Sequence, residues 1–136
     1  MVFEDDTQLP DSASAEDYFA LGLRLAGAGR VAEAFEALEA CLQLDPNRPD
    51  ACKQLARLSR AANELRAFTN WRHEALRLDP ADPEPHLLLA EVLVQAGRWN
   101  EAGDEIGIAL RLRSLPPELD RRARELLELT RRYAGR

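Results

Sequence analysis

Apolar and small residues return at helical intervals along most of this chain, in runs that break at regular places. In the first run Tyr18, Leu21, Gly22 and Leu25 share one helical side, Gly29-Arg30 interrupts the pattern, and Ala34, Leu38, Cys41 and Leu42 resume it. This predicts a helix, a tight reversal and a second helix, with the glycine supplying the positive φ that ends the first. Further on, Leu89, Ala90 and Leu93, a turn at Gly97-Arg98, and then Ala102, Ile106, Ala109 and Leu110 predict the same hairpin again. Helix starts are marked too. Ser14-Ala15-Glu16-Asp17 has the form of a capping box, and Pro49, Pro83 and Pro85 stand where a first turn needs no N–H donor.

The pattern has a period. LQLDP ends at Pro46 and LRLDP at Pro80, 34 residues apart, and a further 34 reaches Ser114 at the end of the related stretch LRLRS. Three segments follow, 15–48, 49–82 and 83–116, each one helical hairpin. Beyond Pro116-Pro117 a last helix is expected within 117–136. Leu119, Ala123, Leu126, Leu127 and Tyr133 line one side of it, and Asp120, Arg121, Arg124, Glu125, Arg131 and Arg132 lie elsewhere. Apolar on one side and charged on the rest, it suits the end of a stack of repeats, where the last element must face water. Residues 1–14 are acidic and aperiodic and are expected to form a disordered tail.

These residues resemble the tetratricopeptide repeat family, whose signature runs W-x2-L-G-x2-Y, A-x3-F and P over 34 residues. The first segment reads Tyr18-x2-Leu21-Gly22-x2-Leu25, Ala34-x3-Leu38 and Pro46; the third reads His86-x2-Leu89-Ala90-x2-Leu93 and Ala102-x3-Ile106, with Ser114 in place of the proline. The second departs most: Cys52-x2-Leu55-Ala56-x2-Ser59, Phe68-x3-Arg72 and Pro80. Phe68 stands where the family has a small alanine, and Ser59 where it has a large side chain. Either the two exchange volume across one contact, or the register slips by one and Ala67 takes the small place. The resemblance covers residues 15–116. It implies an all-α, right-handed superhelical solenoid of three helical hairpins with a C-terminal capping helix.

Composition adds constraints. At 136 residues and 46% hydrophobic content the chain has enough material for one core. Its net charge of −6 disfavours attraction to phosphate backbones and anionic lipid, so neither nucleic acid nor membrane is expected as a partner. Glu4, Asp5, Asp6 and Asp11 put much of that charge at the start, leaving the repeats near neutrality. No apolar run has the roughly 20 residues a span requires, and MVFEDDTQLP lacks the features of a signal peptide, so a soluble cytoplasmic protein is expected. Cys41 and Cys52 fall among apolar neighbours and read as buried free thiols.

Catalytic chemistry has no foothold in the pattern. No P-loop, dinucleotide, zinc-protease or nucleophile-elbow motif occurs, and His73 and His86 have no Cys or His at ligand spacing, so no enzyme activity, cofactor or metal is expected. A repeat stack offers surface instead. The resemblance implies that the first helix of each hairpin lines the concave side, which gathers Phe19, Leu23, Lys53, Arg57, Arg60, Leu87 and Glu91 into a groove for a peptide with apolar anchors beside acidic residues. Phe19 and Leu23 occupy the first-helix places where some relatives grip a chaperone's C-terminal carboxylate, so that clamp is not expected. Two further functions are open: a homo-oligomeric scaffold using convex or terminal surfaces, with Phe68 and Trp71 as a convex aromatic pair, and a secretion-type chaperone holding an extended apolar segment. The tail residues Val2 and Phe3, beside three carboxylates, match the groove in kind and are expected to compete with its ligand.

Overall fold

The computed structural model describes residues 9–113 and 115–134. These residues divide into two compact units, one ending at Leu78 and one beginning at Asp79. In the first, α1 (Ala15–Gly27) pairs with α2 (Val31–Leu44) and α3 (Pro49–Ala61) with α4 (Leu65–Leu78). The second contains the hairpin of α5 (Glu84–Gln95) and α6 (Trp99–Arg111), and then α7 (Pro117–Tyr133). All regular structure among the described residues is helical. The tail at 1–8, with Val2, Phe3 and the expected competition for the groove, lies outside the described residues, as does Ser114.

Local chemistry accounts for where the helices begin and reverse. The capping box at α1 forms as the sequence predicts: the Ser14 hydroxyl accepts from Asp17 N–H at 3.2 Å and the Asp17 carboxylate from Ser14 N–H at 2.9 Å. Each hairpin then turns through one left-handed residue, Gly29 (φ 79°), Asn63 (φ 60°) and Gly97 (φ 75°), one repeat apart. The residue after each closes the turn with the same long bond. Arg30 N–H reaches Leu25 C=O at 2.9 Å, Glu64 N–H reaches Ser59 C=O at 2.8 Å, and Arg98 N–H reaches Leu93 C=O at 2.9 Å. Asn63 is the one non-glycine residue with positive φ among those described. Asparagine tolerates this conformation better than other side-chain-bearing residues, and glycine better still. Asn63→Gly is therefore expected to hold or raise the unfolding free energy and Asn63→Ala to lower it by about 1 kcal/mol, read from denaturant unfolding of the three proteins.

In the first unit Leu21 and Leu25 of α1 pack on Ala34 and Ala37 of α2, while Leu38 and Cys41 of α2 meet Ala51 and Leu55 of α3. Gly22 lets α1 and α2 approach closely: a Cβ there would lie 2.7 Å from Leu38 Cγ and 2.8 Å from Leu38 Cδ2. Leu9 packs against the Leu21–Leu25–Ala34–Ala37 cluster, and Ala13 N–H closes a turn on Pro10 C=O at 2.9 Å. Residues 9–14, expected to belong to a disordered tail, are placed against hairpin 1 through these contacts. Leu9 thereby covers part of the apolar side of hairpin 1.

The second hairpin keeps register, with Phe68 2% exposed at the same repeat position as Ala34 and Ala102, and Ala67 only half-buried. Ser59 is fully buried and donates its hydroxyl to Leu55 C=O at 2.7 Å, so its polar group is satisfied within its own helix. Arg72, at the repeat position of Leu38 and Ile106, is buried as well.

In the second unit Leu87, Ala90, Ile106 and Ala109 of the hairpin share a core with Ala123 and Leu126 of α7. Trp99, at the start of α6, stacks on Tyr133 in the last turn of α7 with ring centroids 5.0 Å apart. Pro117 follows Pro49 and Pro83 at the repeat interval, so α7 is in phase as the first helix of a fourth repeat. It does not repeat the receiving surface. Where α5 offers Leu87, Ala90 and Val94 to the next helix, α7 carries Arg121, Arg124 and Glu128 at the same repeat positions. Charge there closes the stack, which is what a capping helix must do. Gly103 and Gly107 on α6 mark no tight helix approach: a Cβ would stand 3.6 Å from Thr130 Oγ1 in one case and 3.3 Å from the end of the Arg111 side chain in the other.

Candidate functional site

The first helices of the two hairpins in the first unit, α1 and α3, contact each other. Their outward positions differ in character. On α1, Ala20, Leu23 and Gly27 are exposed, Leu23 at 40%, which is high for a leucine. On α3, Lys53, Arg57 and Arg60 are half-buried. One helix thus carries an apolar row and the helix it contacts a basic one.

Phe19 sits differently from Leu23. It is half-buried against the Leu38–Cys41–Ala51–Leu55 cluster, and the Arg48 guanidinium lies over its ring at 4.9 Å from the centroid. Arg48 is held in place by Glu16 at 2.9 Å and Asp50 at 3.2 Å, and its side chain is 15% exposed. Hydrogen bonds to Asp50 and then to Glu16 push the guanidinium pKa above its ordinary value, so the charge is permanent. Sequence reasoning missed Arg48. Its place just before Pro49 gave it the look of a loop residue, and only the packing of the α2–α3 connection against α1 brings it to Phe19.

In the second unit the expected groove residues separate. Leu87 is 3% exposed and belongs to the core beneath Ala123 and Leu126, so its assignment as a groove residue is corrected: α7 covers it. Glu91 bonds Arg122 of α7 at 3.0 Å, with its side chain 17% exposed. The convex aromatic pair is corrected as well. Phe68 is a core residue, and Trp71 is half-buried against Leu38, Cys41, Ala51 and Leu55, filling the space between the two hairpins.

The remaining chemistry-bearing groups are structural in their surroundings. Cys41 and Cys52 are free and buried; burial raises the Cys41 pKa and pushes that of Cys52 up to about 11. His86 Nδ1 lies 2.9 Å from Glu105 Oε1, both largely covered, joining α5 to α6. Among the described residues no cluster of three His, Cys, Asp or Glu side chains could hold a metal ion, and no helix is long and apolar enough to cross a membrane.

Helical hairpins at a 34-residue interval, a left-handed residue at each reversal and a small residue at Gly22, Ala56 and Ala90 define the tetratricopeptide class. By fold the chain falls in the helical-solenoid class of tetratricopeptide proteins, and over residues 15–58 its sequence matches the family described as tetratricopeptide repeat. No curated protein matches the chain. Among solved structures it is similar to the Yersinia enterocolitica type III secretion translocator chaperone SycD in an alternative dimer, at TM-score 0.82 and 21% identity over 93% of this chain and 100% of that one. SycD in complex with a peptide of the translocator YopD gives 0.77 and 21%, over 90% and 97%. The first tetratricopeptide domain of Spaghetti (RPAP3) bound to the HSP90 peptide SRMEEVD gives 0.70 and 16%, over 88% and 94%. At these identities the likeness shows the fold, the helical-solenoid class of tetratricopeptide proteins.

Proposed function

We propose that this chain is a protein-interaction module that binds a peptide segment on the α1–α3 face of its first unit. The observation that carries this reading is the exposed Ala20–Leu23–Gly27 row of α1, a helix in contact with α3 and its basic Lys53, Arg57 and Arg60. An apolar side chain left 40% exposed at Leu23 loses the benefit of burial, which a ligand restores. The ligand that fits has an apolar anchor next to acidic residues, in extended or helical form. Phe19, already packed and capped by Arg48, forms the floor beside Leu23 rather than a free anchor. The peptide complexes of SycD and of the Spaghetti domain support a peptide-binding role on this fold, and the first also supports the more particular reading of a chaperone for an extended apolar segment.

The test is fluorescence polarisation with short labelled peptides that place two leucines among glutamates, against controls with lysine for glutamate and serine for leucine. Leu23→Ala is expected to weaken binding by about 1–2 kcal/mol, and Arg57→Glu to slow association and flatten its salt dependence. Equal binding of the acidic and basic peptides, or binding indifferent to both substitutions, would overturn the assignment of this face.

A further inference from the structure

The outer side of α7 carries a shallow depression of about 580 Å³ lined by residues of that helix alone, Arg121, Arg124, Glu125, Glu128, Leu129 and Arg132 among them. Spacings of three, four and seven put Arg121, Arg124, Glu125 and Glu128 on one stripe. All four are exposed. Some charges of the helix are paired: Arg124 bonds Asp120 at 3.0 Å, and Arg122 bonds Glu91 at 3.0 Å and approaches Glu125 at 3.9 Å. Arg121 and Glu128 make no ion pair among the described residues, although they are of opposite sign and two turns apart on the same stripe. They are too far apart along the helix to pair with each other, since seven residues rise about 10 Å.

The order of charges on this stripe is complementary to itself when reversed. Turning a second α7 about a point midway between Arg124 and Glu125 sets Arg121 against Glu128 of the second copy and Arg124 against its Glu125. Two-fold symmetry makes each pair twice, giving four oppositely charged contacts and none between like charges within the stripe. Leu129, half-buried along the depression, adds apolar surface at the edge of the contact. A face built to receive another repeat would carry small apolar residues, as α5 does; this one carries an order of charges that is complementary to an antiparallel copy of itself. We propose that the chain self-associates through antiparallel pairing of α7 with α7 of a second copy. Exposed ion pairs are individually weak and are screened by salt, so the association is weak and governed by ionic strength.

Sedimentation equilibrium of the whole chain across a concentration series, at low and at high salt, tests this. The wild type is expected to dimerise at low salt and dissociate at high salt. Arg121→Glu and Glu128→Arg each turn two attractive contacts into repulsive ones and are expected to raise the dimer dissociation constant on the order of tenfold or more. Mixed in equal amounts, the two variants face each other with every contact attractive, and the heterodimer is expected to return at about wild-type strength. Far-UV thermal melts confirm that each variant is folded, as the exposure of both positions predicts. A wild type that stays monomeric at low salt, single variants that dimerise like the wild type, or a mixture no stronger than its components would each overturn the proposal.

Discussion

Removal of residues 118–136 is expected to abolish cooperative unfolding of the second unit and to drive the protein into aggregates. Ala123 and Leu126 are 0% and 2% exposed and belong to the same core cluster as Leu87, Ala90, Ile106 and Ala109. Without α7 those four residues face water, together with Val94 and Leu110 at the cluster's edge. Each large apolar side chain so exposed costs about 1.5–3 kcal/mol, and a few of them equal the whole stability of an ordinary small domain. The Trp99–Tyr133 stack disappears with the helix, so tryptophan emission is a direct report on the loss. Leu126→Ala is the milder companion, expected to destabilise by about 2–4 kcal/mol while leaving a soluble protein. A truncated chain that remains monomeric and melts like the full one would show that α7 is not the cap.

Gly22→Ala is expected to destabilise the first unit by about 1–3 kcal/mol, although alanine is the better helix former by about 1 kcal/mol. Propensity and packing oppose each other here, and the distances decide between them. A methyl at Gly22 would stand 2.7 Å from Leu38 Cγ, a branch point held within the fully buried core and not the free end of a flexible chain. Leu38 must leave its rotamer or α1 must move away from α2. At the corresponding repeat positions Ala56 and Ala90 are already accommodated at 1% and 0% exposure, so the restriction belongs to the first hairpin and its leucine. Pairing Gly22→Ala with Leu38→Ala in a double-mutant cycle isolates the contact. The double variant is expected to be less destabilised than the sum of the singles by about 1 kcal/mol or more. Additivity within about 0.3 kcal/mol would show that the clash relaxes at no cost.

The contrast between Gly22 and Gly103 shows how far local rules carry. Both are helical glycines, and nothing in the flanking residues says that one meets a leucine branch point and the other only ordinary contact with Thr130. Phe68 is a related case. The sequence placed an aromatic residue in a slot for alanine and left open whether the register slipped; burial of Phe68 with half-exposure of Ala67 resolves it in favour of the unbroken repeat. The convex aromatic pair failed for the same reason. Helical spacing places Phe68 and Trp71 near each other but does not tell which neighbour lies against them.

The linear order of residues by itself determined the hairpins, their 34-residue interval, the capping box at Ser14, two of the three left-handed turns and the closing helix, because these rest on interactions between residues close together in the chain. Tertiary structure decided which of the first-helix side chains stay open. Phe19 and Leu87 hold the same repeat position, yet α7 buries Leu87 while Phe19 lies under Arg48, and Leu23 four residues from Phe19 remains open. A first helix must both receive its neighbour and face outward, and these two sides are separated by only a fraction of a turn. Periodicity marks which residues share a side; only the packed neighbours show which side is covered.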